Sequence, residues 1–175
     1  MRPCLLLALG TLLLAACAST PPERAAARTL SPLPPPATIG TAQRAVANLA
    51  AASGTLVSGR VELRAVPGGV HASGTIGGLR RNGTHLLQVH ARGDCSAVDA
   101  SSAGPAFEAA GRNEASGGRI VADTRGVARV DLLLPGVVLG GGAGNDIDRR
   151  ALLVLDAAAG AGGARMACGV IAAQR

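Results

Sequence analysis

The chain has 175 residues, room for one domain with processed or extended ends. Hydrophobic residues make up 48%, yet Phe107 is the only aromatic, so a core must be built from Val, Leu, Ile and Ala; 25 glycines suit a turn-rich β protein better than a helical one. The formal charge of +6 is carried by scattered arginines, with no lysine, no basic cluster and no aromatics to stack on bases, so nucleic acid is not an expected partner.

Residues 1–17 read MRPCLLLALGTLLLAAC. Arg2 gives a positive start, and residues 5–16 form an apolar run too short to cross a bilayer as a helix. The run ends in Leu14-Ala15-Ala16-Cys17, which resembles the lipobox of bacterial lipoproteins. That resemblance implies a signal peptide over residues 1–16 and an exported protein anchored to the membrane through a lipidated Cys17. An ordinary secretory signal with an incidental cysteine is the alternative. Cys4 falls in the discarded segment. Ala18 stands where an inner-membrane retention signal would carry Asp, so an outer-membrane location facing the periplasm is expected. Residues 17–43, with Pro21-Pro22 and Pro32-Leu33-Pro34-Pro35-Pro36, read as a tether. Pro-rich chain stays extended at about 3.1 Å per residue and packs no core.

The domain is expected over residues 44–175. Residues 44–52, RAVANLAAA, read as either a first strand or a short helix, since alanine favours helix. In residues 55–65, Val57, Val61 and Leu63 alternate with polar residues, with a break at Ser58-Gly59. Pro67-Gly68-Gly69 is a turn, residues 70–79 a second strand, and Arg81-Asn82-Gly83 an Asn-Gly turn leading into the strand of Leu86, Leu87 and Val89. Residues 109–118 read as a polar loop, and residues 119–134 as a hairpin around Thr124-Arg125-Gly126. Residues 135–147, with Gly140-Gly141-Gly142, read as a flexible connection that lacks the Lys and Ser/Thr of a phosphate loop. Residues 151–155, ALLVL, form a continuous apolar strand, 157–163 a small-residue loop, and 166–171 the closing strand. Short strands at this spacing indicate an antiparallel sandwich or barrel.

Four blocks carry a family resemblance. They are Gly83-Thr84-His85-Leu86-Leu87-Gln88-Val89-His90-Ala91-Arg92-Gly93-Asp94-Cys95, Ser102-Ala103-Gly104-Pro105-Ala106-Phe107, Arg149-Arg150-Ala151-Leu152-Leu153-Val154-Leu155, and Gly163-Ala164-Arg165-Met166-Ala167-Cys168-Gly169-Val170-Ile171. In this order they resemble the copper/zinc superoxide dismutases, and the likeness spans about residues 45–172. It implies an all-β fold, an eight-stranded Greek-key β-barrel. It also implies a disulfide between Cys95 and Cys168, which an exported location permits.

The chemistry implied by the resemblance is largely missing. The family holds copper on four imidazoles; carried over, those positions fall on Gln88, His90, Ala106 and Leu155, of which only His90 is histidine. Gln is a poor copper ligand, and Ala and Leu cannot ligate. The zinc loop has no histidine, and the zinc aspartate position falls near Ser116. Arg165 matches the anion-guiding arginine, and His85 a structural position; His71 is expected on the surface. The sequence thus points to a dismutase-like lipoprotein without bound copper or zinc, serving as a binding or structural module, with a possible protein partner. The alternative is an active periplasmic copper-dependent dismutase, converting superoxide to oxygen and hydrogen peroxide. It needs a rebuilt site, for example His85 and His90 with Asp94 or Glu108. Residues 85 and 90 are five apart, so they are expected on opposite faces of one strand.

Overall fold

The computed structural model describes residues 34–109, 116–159 and 163–174. The alternation of apolar and polar residues is realised as eight strands. They are β1 (Arg44–Ala51), β2 (Ser58–Val66), β3 (Gly69–Gly77), β4 (Thr84–His90), β5 (Gly117–Val121), β6 (Ala128–Pro135), β7 (Ala151–Asp156) and β8 (Arg165–Gln174). Among the described residues the only helical pieces are two 3₁₀ turns, Ser101–Ala103 and Ala157–Ala159.

Every neighbouring pair is antiparallel, in the order β5-β4-β7-β8-β1-β2-β3-β6. The non-consecutive neighbours β4–β7, β8–β1 and β3–β6 are Greek-key crossings. β5 and β6 come together at the two ends of this order but share only the bridge Ala122↔Ala128, so the barrel is nearly closed. The hairpin expected over 119–134 is therefore a turn with one bridge rather than a ladder. Leu132 fills the seam over Gly118, where an added Cβ would come within 3.1 Å of its methyl groups.

The ambiguous first segment is a strand. Ala45, Ala47 and Leu49 point into the core, and both edges are paired, with β2 and with β8. That pairing outweighs alanine's preference for helix. The core is aliphatic apart from Phe107 and the inward-facing His85, with Val61, Leu63, Ile76, Leu87 and Leu152 fully buried. In β7, residues 151–155 are buried on both faces: Leu152 and Val154 belong to the barrel core, and Ala151, Leu153 and Leu155 to a second cluster outside it. This accounts for the unbroken apolar run.

The connection over 135–147 departs from the flexible reading. Val137, Leu139 and Ile147 are buried, and Val138 bridges Asp146. The Asp146 carboxylate accepts from the backbone N–H groups of Gly140 at 2.7 Å, Asp148 at 2.8 Å and Gly142 at 2.8 Å. A glycine triplet that looks loose in the sequence is thus wound around one buried carboxylate, and its freedom is used to aim donors at it.

The boundary expected at residue 43/44 also lies inside the docked part of the chain. Residues 35–42 run as a strap along the same connection. Ala42 N–H donates to the Leu139 carbonyl at 2.9 Å, and Thr41 N–H to the Gly140 carbonyl at 3.3 Å. The buried Asn145 amide accepts from Ala37 N–H at 2.8 Å and donates to the Ala37 and Gly136 carbonyls, both at 2.7 Å. Gly40 lies so close to Leu139 that an added Cβ would meet its carbonyl oxygen at 2.1 Å.

Candidate functional site

The site implied by the resemblance lies on the outer face of β4 and β7. Along β4, His85, Leu87 and Val89 face the barrel interior, while Leu86, Gln88 and His90 face outward. The antiparallel register sets Leu86 opposite Leu155, Gln88 opposite Leu153 and His90 opposite Ala151. Over them folds the segment 91–109. It is tied to β8 by the Cys95–Cys168 disulfide, with Cα atoms 5.8 Å apart. It returns to β4 through the bridge His90↔Ala106 and the bond from Phe107 N–H to the Val89 carbonyl at 2.8 Å.

Three of the four copper positions bring no imidazole. Gln88 and Ala106 are half-buried. Leu155 is buried in an apolar cluster with Ala100, Ala103, Ala151, Leu153 and Cys168. The cluster packs beneath the disulfide segment, where ligands would be needed, and holds that segment down by apolar contact instead.

His90 is 4% exposed, and its Nδ1 lies 2.8 Å from the Gly104 carbonyl. A carbonyl only accepts, so Nδ1 carries the proton. Burial lowers the His90 pKa, the Gly104 bond opposes this and the nearby Arg165 adds to it. The neutral ring therefore presents a bare lone pair at Nε2, and that atom has no hydrogen-bond partner. Arg165 donates to the same Gly104 carbonyl at 2.8 Å and to that of Ala100. Its guanidinium thus clamps the covering segment.

The other candidates do not converge on His90. His85 is fully buried on the inner face, with neither ring nitrogen hydrogen-bonded. Burial lowers its pKa, against the pull of the Arg80 carbonyl and Asp156. Asp94 is exposed; the Ser96 hydroxyl and then the Ser96 N–H, which donates to it at 2.8 Å, hold its carboxyl below the usual range. Glu108 is exposed. Ser116 acts through its backbone, donating to the Phe107 carbonyl and accepting from Val89 N–H. Residues 110–115, within the loop expected to supply zinc ligands, lie outside the described residues, as do Cys4 and Cys17. His71 sits on the outer face of β3, its Nε2 2.6 Å from Asp131 Oδ1.

Two residues near the site escaped the sequence reading. The Arg150 guanidinium stacks 3.7 Å above the centroid of Phe107. It also donates to the carbonyls of Asp146 and Ala91, both at 2.7 Å, and its burial lowers its pKa. Arg150 and Asp146 thereby join the 136–150 connection to the base of the disulfide segment. The lone aromatic was the available signal, but nothing in the spacing pairs it with Arg150.

The donor set can be tested against the metals implied by the fold. Redox copper takes several imidazole or sulfur donors, and zinc four ligands in a tetrahedron. Here one lone pair, Nε2 of His90, stands among Ala, Leu and an amide. Among the described residues no group of three or more His, Cys, Asp or Glu side chains is placed to share an ion. The described residues do not fit the metals.

Among curated proteins no relative matches the chain. The sequence model of the copper/zinc superoxide dismutases (SODC) matches residues 57–171, from just before β2 to within β8. With the eight-stranded antiparallel barrel and the Cys95–Cys168 bridge, that match places the chain in the copper/zinc superoxide dismutase family.

Proposed function

We propose that the protein is an envelope lipoprotein whose dismutase-like barrel works without redox metal, as a binding or structural module. The observation that carries this reading is the state of the copper positions. Gln88, Ala106 and Leu155 offer no imidazole, and Leu155 is packed into an apolar cluster. A single nitrogen cannot hold copper through a redox cycle in a defined geometry. The lipobox-like Leu14-Ala15-Ala16-Cys17 supports export and anchoring through Cys17, at the outer membrane facing the periplasm. The disulfide supports an oxidising compartment.

The test is to express the protein without residues 1–17, load it with copper and zinc, and measure bound metal and superoxide consumption on the same sample. Bound copper well below one per chain, with superoxide loss no faster than buffer, is the expected result. Stoichiometric copper with fast superoxide loss overturns the proposal. It would favour the alternative, an active copper-dependent dismutase with a rebuilt site, for which the unpartnered Nε2 of His90 is the supporting observation. For the anchor, the full chain should incorporate labelled fatty acid, and Cys17→Ala should abolish the label.

A further inference from the structure

One pole of the barrel is defined by where the chain enters it. There the strap over residues 35–42 meets the start of β1, the turn between β2 and β3, the end of β6 and the end of β8. Three features coincide at this pole. Ile39, on the strap, is 79% exposed, and it borders a groove of about 380 Å³ that includes Val66, Pro67 and Val138. Arg44 and Arg64 stand directly opposite each other across β1 and β2 and are both exposed. Arg149 shares a second cleft with Arg44 beside the Gly140-Gly141-Gly142 turn.

The charge placement is costly without an anion. Like charges directly opposite on adjacent strands destabilise a sheet. Neither Arg44 nor Arg64 forms a salt bridge among the described residues, and Arg149 has only Asp148 at 3.9 Å. Asp146, the other acid lining the second cleft, is buried and occupied by backbone N–H groups, and Glu62, two residues from Arg64 on β2, lies 3.6 Å from Arg60. An exposed aliphatic side chain at the same end of the barrel as Arg44 and Arg64, both exposed and without a salt bridge among the described residues, matches the headgroup region of an anionic bilayer. There the apolar group enters the interface and the guanidiniums meet phosphates. Asn145 adds the geometry, because its three hydrogen bonds fix the strap and hence the face at which the chain leaves the barrel.

We propose that this pole is a contact surface for anionic lipid headgroups, with Ile39, Arg44, Arg64 and Arg149 as its contacts and Asn145 as the residue that orients it. For the kind of surface the proposal rests on the anchored reading above; it is independent of metal content.

Amide hydrogen exchange on the full-length protein tests it, with vesicles of phosphatidylcholine alone or mixed with phosphatidylglycerol. The readout is local contact, so it reports whether or not Cys17 carries lipid. The amides of Ile39, Gly68 and Gly141 should slow severalfold with the mixed vesicles and stay unchanged with phosphatidylcholine. Replacing Arg44 and Arg64 by Gln should weaken this protection, by about fivefold per arginine in vesicle affinity. Exchange in the barrel core, read in the same spectra, checks that the variant folds. Equal exchange in both vesicle types overturns the proposal. So does protection by soluble polyglutamate but not by the mixed vesicles, which would assign the face to an acidic protein. Neither result depends on the metal and superoxide assays.

Discussion

His85 and His90 stand in one strand, and both are held neutral by burial, one inside the barrel and one beneath the disulfide segment. The consequence for stability follows from proton linkage. An unfolded histidine takes up its proton near pH 6.5, whereas each folded ring resists protonation to lower pH. As pH falls below 6.5 the unfolded state binds more protons, so stability falls by at most about 1.4 kcal/mol per pH unit for each ring. The loss levels off once the folded rings protonate. His85 is the better target, because both of its nitrogens are buried without partners. His85→Leu removes that desolvation cost and keeps an apolar side chain of similar bulk in the core. The variant should gain about 1 kcal/mol or more over wild type at pH 5, and less at pH 7.5. Urea midpoints at the two pH values check this. A variant that loses as much stability on acidification as the wild type would show that His85 does not drive the pH dependence.

The connection over 135–147, expected to be flexible, is instead ordered around Asp146, and it holds the strap in place. Asp146→Ala leaves the N–H groups of Gly140, Gly142 and Asp148 without their carboxylate. Losing hydrogen bonds to a buried charge should cost about 2–3 kcal/mol in urea unfolding. Amide exchange at Thr41 and Ala42 should rise with it, because their acceptors, the Gly140 and Leu139 carbonyls, are set by this loop. Unchanged exchange there would show that the strap docks independently. The strands, by contrast, were legible. Val61 and Leu63 in β2, or Leu87 and Val89 in β4, alternate with period two, and that period alone fixes which side chains face the core. Of the site, the sequence alone shows that Gln88, Ala106 and Leu155, the copper positions implied by the resemblance, carry no imidazole. The roles of Asp146, Asn145 and Arg150 could not be read from it. Their partners lie in backbone that is distant in sequence, such as Ala37 for Asn145 and Ala91 for Arg150, and no local pattern encodes such pairings.

At the scale of the whole molecule, the question is what cross-links a barrel with one aromatic residue. A metal ion bridging β4, β7 and the segment over them would serve, but the donor set there does not suit one. The disulfide remains: it joins Cys95 to Cys168 across 73 residues, pinning the covering segment to β8. In the chain-entropy account such a link is worth about 4 kcal/mol, a large share of the 5–15 kcal/mol typical of a folded domain. Two treatments then separate the metal-free reading from its alternative. On the metal-free reading, a chelator should leave the thermal midpoint of the oxidised protein unchanged. A reductant, or Cys95→Ser with Cys168→Ser, should lower stability by about 4 kcal/mol, read from urea unfolding with chelator present throughout. The apolar cluster of Leu153, Leu155, Ala100 and Ala103 should keep part of the covering segment in place even then. If chelation lowers the midpoint as much as reduction does, an ion is holding the fold. The family's metal chemistry would then have survived in this chain on ligands other than those at its copper positions.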